Sequence, residues 1–130
     1  MKLLMFASAG GAIGAGLRFL VNETFAARGL TAPFPWHTFA VNVAGSFLMG
    51  VVYVIVNDKL AGSPEWRTFL ATGILGGLTT FSAFSLDVMN LMADGHGLGL
   101  RPAVYITASV GLSVAALFAG IWVTRMGLST

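Results

Sequence analysis

The sequence predicts an all-α integral membrane protein with four transmembrane helices. Of its 130 residues, 56% are hydrophobic and only 9% are charged, whereas a soluble domain carries roughly 25% charged residues. The mean hydropathy is +0.84. Four apolar stretches, each close to the roughly 20 residues that a bilayer requires, account for nearly the whole chain and leave no room for a separate soluble domain.

The four predicted spans cover residues 3–27, 36–56, 65–92 and 101–125, and they form a single transmembrane domain. We read the first stretch as a span rather than a cleaved signal peptide, because its apolar run continues to Leu17. The net charge of +2 is too small to indicate a nucleic-acid partner, and the absence of cysteine excludes disulfides and thiolate metal sites. The pattern holds no nucleophile–base arrangement, so we do not expect an enzyme.

The charges define the membrane orientation only weakly. Four spans place both termini on one side, which then holds four basic residues against two on the other. The four are Lys2, Lys59, Arg67 and Arg125, and the two are Arg28 and Arg101. Such a small bias favours one orientation slightly and permits insertion in both.

The first span combines small residues with one charged residue. Gly10 and Gly14 have the small-xxx-small spacing that lets helix backbones approach closely. Arg18 lies near the end of the span, where an arginine either extends toward the interface or serves a function.

Polar side chains share a face on the second and fourth spans. Asn42 and Ser46 are four residues apart, and Tyr105, Ser109 and Ser113 continue the same spacing over two turns. Each set either forms hydrogen bonds between helices or lines a pore. A stripe made of hydroxyls offers protons to an ion without a full charge that would trap it.

The third span is predicted to break near Gly76–Thr80. Two adjacent glycines weaken the helix, and a broken helix exposes carbonyl oxygens at the partly negative end of its first half. Hydroxyls follow at Thr79, Thr80 and Ser82. Two phenylalanines three residues apart, Phe81 and Phe84, either pack in the core or present their positive ring edges to an anion.

The segment Gly73-Ile-Leu-Gly-Gly-Leu-Thr-Thr-Phe-Ser-Ala-Phe-Ser85 resembles the signature of the Fluc (CrcB-type) fluoride channels. The run Gly10–Arg18, the segment Thr38–Asn42 and the Tyr105–Ser113 stripe also match. The resemblance covers all four spans. Asp87 stands where many members have glutamate, and Ala83 stands where a small hydroxyl residue is common.

This resemblance implies a passive, highly selective fluoride channel of the cell inner membrane that exports cytoplasmic fluoride and protects against its toxicity. It implies an antiparallel, dual-topology homodimer with two fluoride pores in the lipid bilayer. The implied pore residues are Phe81, Phe84, Asn42, Tyr105, Ser109, Ser113, Thr80 and Ser82. Arg18 would lie at the vestibule, and the backbone carbonyls of Gly76 and Thr79 would bind a structural sodium ion at the dimer centre.

Two other functions are compatible with four short spans. A proton-coupled multidrug exporter of this size needs a carboxylate inside the membrane, and Asp87 at the edge of the third span is the sole candidate. A non-catalytic membrane subunit would use the glycines for packing and the hydroxyls as interhelical hydrogen bonds.

Overall fold

The computed structural model describes residues 1–94 and 97–129, and every regular element in those ranges is helical. Helices α1 (Lys2–Ala27), α2 (Trp36–Asp58) and α6 (Leu100–Leu128) are continuous. The third span is assembled from α3 (Pro64–Arg67), a π-helical segment (Thr68–Leu75), α4 (Gly76–Leu78) and α5 (Phe81–Asp94). Within those ranges, four helical stretches are therefore long and apolar enough to cross a bilayer, as the sequence predicts.

The helical backbone of the third span is interrupted between α4 and α5. Helix α4 ends at Leu78, and Thr79 has an extended backbone with φ −77° and ψ 152°. Helix α5 begins two residues later, at Phe81. An extended residue interrupts the helical hydrogen bonds, so the backbone groups on either side need other partners, because hydrocarbon offers none.

Glycines hold α1 tightly against the third span. A methyl group on Gly10 would lie 2.5 Å from the Phe69 carbonyl oxygen, and one on Gly77 would lie 2.6 Å from the Gly11 carbonyl oxygen. Gly14 lies directly against the Ile74 carbonyl group. The close packing predicted for Gly10 and Gly14 is confirmed, and no larger side chain fits at these positions without displacing backbone.

A second pair of glycines joins α2 to α6, the two helices with the most extensive contact. Gly50 lies against the Leu117 carbonyl group, and Gly120 lies against that of Phe47. The two helices consequently run side by side along one wall of the molecule. This wall faces the break in the third span and positions the candidate site.

Candidate functional site

A cavity of about 390 Å³ lies where α2 and α6 face the break of the third span. We call it the hydroxyl cavity. Its lining comprises Asn42, Gly45, Ser46, Met49, Thr79, Thr80, Phe81, Phe84, Ser109, Val110, Ser113, Val114 and Leu117. No side chain in this lining carries a formal charge, so a ligand here meets hydroxyls, one amide, backbone and rings.

A larger groove of about 860 Å³ runs along the outer side of α2, but its lining is almost wholly apolar. Its wall includes Phe25, Leu30, Phe39 and Phe47. In a membrane such a surface suits lipid chains and offers an ion nothing to replace its water. The smaller hydroxyl cavity is therefore the candidate site.

Asn42 binds the backbone of the break with both ends of its amide. The Thr80 N–H donates to Asn42 Oδ1 at 2.9 Å, and Asn42 Nδ2 donates to the Thr80 carbonyl at 3.2 Å. The interrupted N–H of Thr80 is thus satisfied from α2, and the Thr80 carbonyl, which precedes the first residue of α5, gains a second donor. Because an amide NH2 has two N–H groups, one remains for a ligand in the cavity.

The sequence indicates Asn42 as a polar residue inside a span but does not reveal this backbone partner. One signal in the sequence does point to such a partner. A helix break within hydrocarbon leaves backbone groups that a side chain must satisfy, and an amide can serve a donor and an acceptor at once.

Ser109 and Ser113 differ from other helical hydroxyls of this chain. Thr107 and Thr124 each donate to the carbonyl four residues earlier, at 2.8 and 2.7 Å. The buried Oγ atoms of Ser109 and Ser113 make no hydrogen bond of acceptable geometry to any described group, although the Tyr105 hydroxyl lies near Ser109. Since buried polar atoms are normally paired, the unpaired Ser113 hydroxyl in the wall of this cavity, with Ser109 one turn away, points to a ligand there.

The two phenylalanines occupy different environments. Their ring centroids are 5.2 Å apart, with an interplanar angle of 41°. Phe84 is only 8% exposed, whereas Phe81 is 76% exposed although it lines the cavity. Phe84 is therefore part of the packed core, while Phe81 is largely uncovered within a single chain.

Tyr105 closes one end of this region without lining the cavity. It is fully buried, and its ring packs on Phe34 and Phe84 with centroids 5.3 Å away in each case. Its hydroxyl donates to Asp87 Oδ2 at 3.0 Å. Asp87 consequently has a hydrogen-bond donor and does not project into the lining of the hydroxyl cavity.

The break also redirects two backbone donors away from the carbonyls of Gly76 and Thr79. In a continuous helix the N–H of Thr80 would donate to Gly76, and that of Ala83 to Thr79. Here the Thr80 N–H donates to Asn42, and the Ala83 N–H donates to Thr80 Oγ1 at 3.2 Å. Both carbonyl oxygens thus lose their helical donors.

The remaining predicted residues lie apart from the cavity lining. Ser82 is exposed, and its hydroxyl hydrogen-bonds with that of Thr80 at 3.1 Å. Arg18 is half-buried on α1 and forms no salt bridge among residues 1–94 and 97–129. The structure therefore brings together Asn42, Thr80, Phe81, Phe84, Ser109 and Ser113, but not Ser82, Arg18 or the Tyr105 ring.

Comparison with known proteins identifies the family. Residues 5–121 match the sequence model described as "CrcB-like protein, Camphor Resistance (CrcB)". The chain belongs to the CrcB-like family. A relative from Rhizobium meliloti (strain 1021), named fluoride-specific ion channel FluC, is 49% identical over 125 residues, or 96% of this chain and 98% of the relative. The protein of the same name from Chelativorans sp. (strain BNC1) is 51% identical over 125 residues, with the same coverage.

A third relative of the same name, from Agrobacterium fabrum (strain C58 / ATCC 33970), is 50% identical over 116 residues, or 89% of this chain and 90% of the relative. Such matches extend through all four apolar helices. This CrcB-like protein is therefore a multi-pass membrane protein.

Proposed function

We propose that this chain is a passive, fluoride-selective channel. One observation carries the proposal: an uncharged cavity, set at a helix break, is lined by the buried hydroxyls of Ser109 and Ser113, neither of which makes a hydrogen bond of acceptable geometry to the described residues. Its relatives bear the name of a fluoride-specific ion channel. The family is one of channels rather than enzymes, in keeping with the uncharged cavity and its few hydrogen-bond donors.

The chemistry of the lining suits a small, strongly hydrated anion. Fluoride leaves water only where hydrogen-bond donors replace its hydration shell. Ser109, Ser113 and the second N–H of Asn42 supply such donors, and phenyl ring edges carry partial positive charge. Because no fixed cation binds the ion, it is released readily, as conduction requires.

The exposed ring of Phe81 supports a second subunit. A large apolar side chain that lines a site yet is 76% exposed leaves one wall of that site open. On α6, Gly111 has open space around it and Ala115 is exposed, so small residues are free to pack against another helix. We therefore propose an antiparallel homodimer in which two chains complete two pores, each with Phe81 and Phe84 in its wall.

The carbonyls of Gly76 and Thr79 fit a structural sodium ion at the centre of that dimer. Both oxygens have lost their helical donors to Asn42 and Thr80. Alkali and alkaline-earth cations prefer oxygen ligands, and unwound helices use such carbonyls to bind sodium. One chain supplies two oxygens and a symmetric pair supplies four, which would fix the two breaks against each other.

The physiological role follows from acid–base chemistry. Neutral hydrogen fluoride enters a cell from an acidic medium and dissociates inside, and a passive channel lets the trapped anion leave. In this scheme Arg18, half-buried on α1, would attract anions toward the pore from a vestibule. Export of fluoride would protect the cell from its toxicity.

A fluoride electrode measures the activity directly. Purified protein in liposomes loaded with potassium fluoride should release fluoride when potassium is made permeant, while liposomes loaded with chloride should release none. Phe81→Ala should reduce the fluoride rate while the protein still elutes as a dimer. Absence of fluoride release from wild-type liposomes, or equal release of chloride, would refute the proposal.

A further inference from the structure

A second cavity, of about 370 Å³, adjoins the hydroxyl cavity on the side of the α2 C-terminus. We call it the Arg67 cavity. It is lined by Met49, Val52, Tyr53, Val56, Asn57, Arg67, Ala71, Leu117 and Ile121. Two of these residues, Met49 and Leu117, also line the hydroxyl cavity, so the two spaces share one wall.

The two cavities are consecutive parts of one groove along α2. Asn42, Ser46 and Met49 line the first, and Met49, Tyr53 and Asn57 line the second. Steps of three and four residues keep all five side chains on one helical face. The apolar pair Met49 and Leu117, which we call the neck, therefore lies between two segments that both carry hydrogen-bond donors.

Arg67 gives the second segment an uncompensated positive charge. It is the one charged side chain in the described lining of either cavity, and it is exposed. The acid nearest to it in sequence, Glu65, is bound to Lys2 at 3.1 Å. No carboxylate lies within 4.0 Å of Arg67 in the parts of the chain that the structure describes.

We propose that the Arg67 cavity is the mouth through which the anion reaches the hydroxyl cavity, and that Arg67 concentrates anions there. The idea rests on the proposed channel function. The Tyr53 hydroxyl and the Asn57 amide supply the first hydrogen-bond donors, and the Met49–Leu117 neck separates this hydrated mouth from the drier site beyond. Apolar constrictions of this kind restrict the passage of hydrated ions.

The exposure of Arg67 determines what it does. A solvated cation binds an anion weakly and is screened by salt, with a Debye length of about 10 Å at 0.1 M. It therefore raises the local anion concentration and the rate of entry and leaves the selectivity to the hydroxyl cavity. Its effect should be large at low ionic strength and small at high ionic strength.

Fluoride efflux tests the rate. At low ionic strength Arg67→Gln should slow efflux about threefold to tenfold, Arg67→Lys should retain most of the rate, and the difference should largely vanish in 0.5 M of an impermeant salt. Arg125→Gln is the matched control, because Arg125 is an exposed cation in the last turn of α6 outside both cavities. Equal slowing by both Gln variants, or none by Arg67→Gln, would overturn the proposal.

Thiol labelling tests the mouth without relying on flux. The wild-type chain has no cysteine, so Tyr53→Cys places a single thiol in the Arg67 cavity. In detergent, an anionic methanethiosulfonate should modify this thiol several times faster than a cationic one. Adding Arg67→Gln should abolish that preference, and adding Arg125→Gln should preserve it.

The two assays distinguish failure of the proposed mouth from failure of the proposed channel function. An anionic preference that depends on Arg67 supports the mouth even if wild-type liposomes release no fluoride, an outcome that would refute the channel function alone. Fluoride release together with a labelling rate indifferent to reagent charge and to Arg67 would instead refute the mouth while the channel function stands.

Discussion

Replacing Asn42 with alanine removes the only side chain that the structure places on the Thr80 backbone among the described residues. Two hydrogen bonds disappear, one at 2.9 Å from the Thr80 N–H and one at 3.2 Å to the Thr80 carbonyl. Leaving a buried donor or acceptor unsatisfied costs about 1–3 kcal/mol. The Thr80 carbonyl keeps the helical donor that opens α5, so only the N–H is left unsatisfied and we expect a loss of about 1–3 kcal/mol.

The assay combines stability with transport. The recovery of folded protein after heating in detergent, measured by size-exclusion chromatography, should fall for Asn42→Ala. Ser46→Ala is the control, because Ser46 lines the same cavity one turn away and makes no hydrogen bond to the break in the described chain. Fluoride efflux should fall in both variants, but stability only in the first.

Asn42→Asp tests whether the acceptor of the Asn42 amide, its Oδ1 atom, suffices without the Nδ2 donor. Its carboxylate still accepts from the Thr80 N–H but cannot donate to the Thr80 carbonyl, and it adds a negative charge to the cavity. Because the new oxygen faces the Thr80 carbonyl and a charge inside a span is costly, we expect a loss of stability at least as large as for Asn42→Ala, together with complete loss of fluoride efflux. Normal heat stability of Asn42→Ala would show that the break does not depend on this amide and would refute the reasoning.

Three further predictions follow from the packing and the hydroxyls. Ser113→Ala removes a hydroxyl without a hydrogen-bond partner in the described chain. Efflux should therefore fall about tenfold, while heat stability stays within about 0.5 kcal/mol of the wild type. Thr124→Ala is the control, and unchanged efflux of Ser113→Ala would contradict the role of Ser113. Gly14→Ala places a methyl group against the Ile74 carbonyl, whereas Gly16→Ala meets nothing within 4 Å; we expect loss of folded protein on membrane extraction only for the former. Phe84 is 8% exposed and Phe81 is 76% exposed. Phe84→Ala should therefore cost about 3–4 kcal/mol of stability, whereas Phe81→Ala should mainly reduce efflux. Equal heat stability of the two variants would contradict this distinction.

The sequence predicts the four helices well because the bilayer imposes a simple requirement on length and apolarity. Close packing is also visible in it, since Gly10 and Gly14 have a spacing with one physical use in membranes. Both features depend on residues close together in the chain. Pattern and period are therefore enough to find them.

Long-range partners are what the sequence does not reveal. Nothing in the spacing of Asn42 indicates that its amide binds Thr80, 38 residues away, or that the Tyr105 hydroxyl donates to Asp87. The i, i+4 stripe groups Tyr105 with Ser109 and Ser113, yet only the two serines line the cavity. The π-helical segment Thr68–Leu75 also lacks a signal, because its residues are those of an ordinary apolar helix.

The break in the third span links the two sites proposed for it. Asn42 takes the Thr80 N–H and so releases the Gly76 carbonyl, and Thr80 Oγ1 takes the Ala83 N–H and so releases that of Thr79. The same amide faces the hydroxyl cavity with its remaining N–H group. In the proposed channel, a side chain of the anion site would thus also prepare the carbonyls for a cation. If both sites exist as proposed, Asn42→Ala should weaken the sodium dependence of dimer stability as well as fluoride efflux, whereas Ser113→Ala, which touches only the anion side, should leave the sodium dependence unchanged.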